Sequence, residues 1–162
     1  MLPQIKTILY ATDLEDKGAR NAFRMAVSLA RAHGARIVML HGLESVSAAV
    51  NGMLRNAMSE AEYERLRTSG IEKLKQDLQD KVAAFCREEC PEGEPNWPAG
   101  EPIIEVMEGV IYEVILDSAQ RHEADLIVMG TRTHSAIGQL VLGSTANKII
   151  HHSKVPVLVY PL

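Results

Sequence analysis

Apolar residues in this chain follow two alternating rhythms. Runs rich in β-branched residues occupy Lys6–Thr12, Ala35–Gly42, Ile103–Gly109, Leu126–Met129 and Val155–Tyr160, and each reads as a strand. The fourth is apolar throughout, the pattern of a strand buried on both faces. Between the runs the spacing changes to three and four. Ala22, Met25, Ala26, Leu29 and Ala30 predict an amphipathic helix over 19–33, stopped by Gly34. Ser59, with Glu62 three residues on, marks the start of another. That helix carries Ile71, Leu74, Leu78, Val82 and Phe85 on one stripe, with Gly70 as a place for a break or bend. Val110–His122 is a third, with Val114, Ile115, Leu116 and Ala119 apolar. The last opens at Gly143-Ser144-Thr145 and sets Ala146, Ile149 and Ile150 on one side.

The remaining stretches lack either rhythm. Leu43–Met58 is poorly patterned and reads as a loop with some helical character. Pro91–Pro102 holds four prolines and two glycines and must be a connection. It contains Trp97, which is read as a plug over the domain in preference to a partner surface. Five strands separated by four helical segments give an α/β fold, a doubly wound parallel sheet with helices on both faces. At 162 residues the chain is expected to be one domain spanning 1–162.

Composition narrows the class. A net charge of −4 and no basic stripe argue against a nucleic-acid partner. No apolar run approaches a membrane span, and the N-terminus shows no signal-peptide pattern, so a cytoplasmic setting is expected. Cys86 and Cys90 stand four apart on a helical pattern. With no second zinc-spaced pair nearby, they read as ordinary thiols.

The candidate chemistry gathers at strand ends. Gly130 follows the fourth strand, and Gly143-Ser144 precedes the last helix. A helix N-terminus offers unpaired N–H groups and a positive dipole end to an anion, and ligands in open α/β sheets sit at the carboxyl ends of strands. A phosphate site is one reading. A tight turn and a helix cap is the other, and the residues alone leave both open. Asp13, closing the first strand, can accept hydrogen bonds from a ribose or an adenine amine, or can cap a helix.

The spacing Gly130, two residues, Thr133, nine residues, Gly143-Ser144 resembles the nucleotide-binding signature of the universal stress protein family, with Thr133 where the signature has its second glycine. The likeness extends from Ile5 to Tyr160, including the closing Val-Pro-Val-Leu-Val run. It implies the strand order 3-2-1-4-5 and a regulatory site for ATP, or for AMP or ADP, with Mg2+ as an accompanying ion. The implied contacts are Ala11, Thr12 and Gly42 at the base, Asp13 at the ribose or adenine, and Met129, Gly130, Arg132 and Thr133 at the start of the phosphate loop. Gly143, Ser144 and Thr145 would cradle the phosphates, with His134 and Ser135 as weaker contacts. The family's first-turn proline is replaced by Ile111 or Tyr112 at the third helix.

No base is placed to activate water, and GxxxxGK[ST] is absent, so at most slow hydrolysis is expected. An adenylating enzyme would need motifs such as HIGH or SGGxDS, which do not occur. The alternative is a dimeric stress protein without nucleotide, which Thr133 favours. In either case the apolar edge strand Val155–Tyr160 invites pairing into a homodimer.

Overall fold

The computed structural model describes residues 1–13, 19–89, 97–131 and 142–161. The chain forms β1 (Thr7–Ala11), α1 (Ala19–His33), β2 (Arg36–Leu43), α2 (Ala48–Ala57), α3 (Glu60–Glu89), β3 (Ile103–Glu108), α4 (Ile111–Arg121), β4 (Leu126–Thr131), α5 (Ser144–His152) and β5 (Val157–Pro161). All strand pairs are parallel, in the order β3-β2-β1-β4-β5. The expected order is therefore the observed one.

Two compact units divide the chain. Met1–Leu43 with Asn96–Leu162 holds the sheet, α1, α4 and α5; Glu44–Pro95 holds α2 and α3. Within the first unit, alternation along β1 assigns the faces. Leu9 is fully buried in a cluster with Val38, Leu40, Val114, Ile115, Ile127, Met129, Ala146 and Ile149, which places α4 and α5 on its side. Tyr10 points the other way, its ring 5.2 Å from Phe23 of α1 and its hydroxyl donating to the Ala19 carbonyl at 2.8 Å. Helices thus cover both faces.

The opposite end of the sheet is fastened by polar groups. Asp125 Oδ2 accepts from the Lys6 and Thr7 N–H groups at 2.8 and 3.0 Å, tying β1 to the start of β4. Arg36 donates to Thr7 Oγ1 and to the His122 carbonyl, both at 2.9 Å. On α4, Ser118 Oγ donates to Glu105 Oε2 at 2.5 Å and Arg121 donates to Glu105 Oε1 at 2.8 Å. Burial pushes the Glu105 carboxyl up, but these two donors outweigh it and leave it below its ordinary value.

Several expectations change in the structure. The buried face of α1 is Ala22, Phe23, Ala26, Val27 and Ala30, with Met25 exposed, because Phe23 carries more surface to bury than Met25. Gly34 does stop this helix, at φ 66°, and the Ala35 N–H returns to the Ala30 carbonyl at 2.9 Å. The segment read as a loop over Leu43–Met58 contains α2. Its N-cap Ser47 accepts from the Val50 N–H, and Asn51 accepts from the Tyr63 hydroxyl of α3 at 2.7 Å. Arg55 lies over the Tyr63 ring, 5.0 Å from its centroid. Those contacts with α3 come from outside the local pattern, so periodicity could not supply them.

In α3 the Ser59–Glu62 capping box is formed, and the helix runs unbroken through Gly70, whose missing Cβ would face open space. Ile150 is exposed, leaving Ala146 and Ile149 as the buried residues of α5. β5 begins at Val157, two residues later than expected, because Ser153 Oγ engages both the N–H and the carbonyl of Val155. Trp97 is half-buried, its carbonyl accepting from Gly100. Cys90 and the start of the Pro91–Pro102 connection, together with the Cys86 side chain, lie outside the described residues.

One prediction arises from β1. Burial, with a lesser push from Asp13, raises the Tyr10 phenol from 10.0 to about 12. The unfolded phenol ionises first, so stability held below pH 10 is lost as pH rises towards 12. The two-unit gap corresponds to about 3 kcal/mol. Denaturant titrations of wild type and Tyr10→Phe across this range should diverge, with the steeper loss in wild type. Parallel slopes would show that the phenol is solvated in the fold.

Candidate functional site

The carboxyl ends of β1, β2 and β4 converge where the sequence placed its candidates. Ala11 is in register with Leu40 of β2 on one side and Met129 of β4 on the other. Ala11, Met129 and Ile111 all pack into the cluster on the α4/α5 face, and Gly42 faces Ile111 and Val114 of α4. Ala11, Gly42 and Met129 therefore present small or flexible apolar surface on one face of the sheet at one end. Thr12 follows, its N–H donating to the Leu40 carbonyl at 2.9 Å.

His41 has a part that spacing did not reveal. Its Nδ1 lies 2.9 Å from the Thr12 carbonyl, so the ring braces the chain as it leaves β1 towards Asp13. Asp13 is half-buried at the last described position before residue 19.

On the other side of β1, β4 runs through Gly130, which pairs with Tyr160, and ends at Thr131. The expected strand end was Met129; edge strand β5 supplies the partner that extends it. Thr131 is buried, and its Oγ1 accepts from the Gly143 N–H at 3.1 Å. This hydroxyl binds the strand end to the helix start, and an accepting hydroxyl still has one proton to donate. Thr131 stood inside the Gly130–Thr133 motif but was passed over because the motif marks glycines.

Gly143 is the N-cap of α5, so Ser144 is the first helical residue and not the cap. Gly143 itself has no side chain to cap this terminus, and the first turn carries no acidic residue. The N–H groups of the first turn thus meet no competing carboxylate from their own helix, which suits an anion. Gly143 adopts φ −58° and ψ 153°, open to any residue, and among the described residues an added Cβ would meet only Thr131 Oγ1, at 3.7 Å. Glycine is not needed here for its backbone; what it provides is room. Arg132, Thr133, His134 and Ser135 lie outside the described residues.

Among the described residues, no group of three or more His, Cys, Asp or Glu is placed to hold a metal ion, and no helix is long and apolar enough to cross a membrane. The arrangement offers anion-binding groups at one end and an apolar ledge at the other.

The model of the universal stress protein family matches residues 4–161. The chain belongs to the universal stress protein family. A universal stress protein of Thermus aquaticus, from the QAH/OAS sulfhydrylase 3'region, is 35% identical over 153 residues, covering 94% of this chain and 96% of the relative. Among solved structures, universal stress protein UspA from Lactobacillus plantarum superposes with a TM-score of 0.65 at 23% identity, over 98% of this chain and 99% of that one. A universal stress protein in complex with cAMP gives a TM-score of 0.62 at 18% identity, over 98% of each chain. At those identities the solved structures share the fold.

Proposed function

We propose that this universal stress protein binds an adenine nucleotide as a regulatory ligand in a cytoplasmic stress response, with ATP the first candidate and ADP or AMP the alternatives. The observation that carries the reading is the N-terminus of α5, whose N-cap is a glycine with no side chain of its own and which is held to the end of β4 through Thr131. The residues fit the group chemically. Backbone N–H groups and the hydroxyls of Ser144 and Thr145 would hold phosphate oxygens, and Asp13 would accept from the ribose. Ala11, Thr12, Gly42 and Met129 would border the base, with Gly130, Arg132 and Thr133 leading into the phosphate loop. Mg2+, if it accompanies ATP, would be held by the phosphates and water. The fold neighbour in complex with cAMP supports a purine nucleotide as the ligand class.

Bound nucleotide would supply a signal of occupancy, read through Asp13 at one strand end and α5 at the other. Denaturing the purified protein and identifying released small molecules by mass spectrometry, then titrating with ATP, tests the reading. Released or titratable adenine nucleotide is expected. A protein that purifies empty and ignores ATP, ADP and AMP favours the second reading, a dimeric interaction protein, for which Thr133 in place of glycine is the specific support.

Both readings include a homodimer through the edge strand. Val157, Leu158, Val159 and Tyr160 are each only partly buried, although β5 pairs with β4 along one side. An apolar strand with one unpaired edge favours pairing with a second copy. Light scattering at micromolar protein should give twice the 17.8 kDa chain mass. A monomer mass across that range would remove this interface.

A further inference from the structure

Gly42 and Ile111 form a reciprocal pair. A Cβ added at Gly42 would lie 3.0 Å from Ile111 Cδ1 and 3.6 Å from Ile111 Cγ2, with Val114 Cγ1 at 3.9 Å. The volume that a strand side chain would occupy at the end of β2 is therefore filled from the helix layer, by the first residue of α4. Ile111 is half-buried and packs on the same cluster as Ala11 and Met129, while Val114 beneath it is buried. Its δ-methyl is thus backed by packed core. Ile111 also follows an N-cap, Val110, that is itself apolar and makes no side-chain cap.

We propose that Ile111 is a specificity-determining residue of the nucleotide site, forming the apolar wall that limits how far the base extends past β2. This rests on the adenine-nucleotide reading given above. The phosphate end of that site is at β4 and α5, and β2 lies two strands away, roughly 10 Å at ordinary strand spacing. A purine nucleotide anchored by its phosphates spans a comparable distance across β1, which brings the far edge of its base, with the exocyclic amine, to Gly42. Glycine there leaves the approach open from the strand, and the Ile111 methyl closes it from the helix. Closure by a methyl group offers no hydrogen bond to the amine but excludes bulk attached to it.

The test compares ATP with an ATP analogue carrying a benzyl group on the exocyclic amine, by calorimetry on the full chain, with thermal melting to monitor the fold. Wild type should prefer ATP by about tenfold or more, and Ile111→Ala should narrow or invert that preference by about tenfold. Ile111→Val, which removes only the δ-methyl, should fall between them and serves if the alanine variant melts too low. The double variant Gly42→Val with Ile111→Ala rebuilds the wall from the strand side and should recover discrimination. Binding of ATP by all variants with a preference unchanged to within about twofold overturns the role of Ile111 alone. Failure of wild type to bind either nucleotide removes the nucleotide reading, and this proposal with it.

Discussion

Gly143→Val should weaken nucleotide binding about 100-fold while leaving the protein folded. The backbone at Gly143 is in a conformation that valine adopts without strain, and the nearest atom among the described residues to its new Cβ is Thr131 Oγ1 at an ordinary 3.7 Å. Replacing a glycine N-cap by an aliphatic residue costs about 1 kcal/mol. For a chain of this size that lowers the melting temperature by roughly 2–4 °C. Binding is affected on a different scale. The isopropyl group would stand over the first N–H groups of α5, excluding the anion from the end of the helix dipole. A loss of about 100-fold, near 2.7 kcal/mol, is expected from calorimetric titration with ATP. Gly143→Ala should give a smaller loss in the same direction. If the valine variant keeps wild-type affinity, the phosphates are bound elsewhere and the glycine at this N-cap serves only the turn.

What the sequence revealed and what it hid follow one physical division. Strand runs and helix stripes are local patterns, and they located β1 to β5, α1, α3, α4 and α5 with small shifts at the ends. The shifts have tertiary causes. β4 runs on through Gly130 because Tyr160 pairs with it, and β5 starts late because Ser153 Oγ occupies Val155. α2 was read as a loop because its stabilising partners, Tyr63 among them, reside on another helix. In the candidate site, the sequence singled out the glycines by the spacing of a motif and Asp13 by its place at the end of the first strand. Thr131, His41 and Ile111 were not identified as contributors, since each acts through a neighbour brought close only by folding: the Gly143 N–H, the Thr12 carbonyl and the empty Cβ position of Gly42. A side chain that completes another residue's geometry leaves no periodic trace.

Ile149→Ala should act through the fold first and on the ligand second. α5 has nine residues and only two buried ones, Ala146 and Ile149, so Ile149 provides most of the apolar surface that seats it. The side chain is fully buried in the cluster shared by β1, β4 and α4. Truncation to alanine leaves a cavity and costs about 3 kcal/mol. That predicts a melting temperature lower by roughly 6–12 °C. The same loss loosens the helix whose N-terminus is proposed to hold the phosphates, so affinity for ATP should fall as well, by about tenfold if the binding groups are misplaced rather than removed. Ligand linkage separates this from a general loss of folding. Nucleotide at about 100 times its dissociation constant adds near 2.7 kcal/mol to any form that binds it only when folded. Melting of the Ile149→Ala protein should therefore recover most of its deficit once the nucleotide concentration is raised to match its weaker affinity, whereas Gly143→Val, which binds about tenfold more weakly still, should gain only about 1.4 kcal/mol at the same concentration. An Ile149→Ala protein that melts low yet binds ATP with wild-type affinity would show that α5 packing and ligand binding are uncoupled.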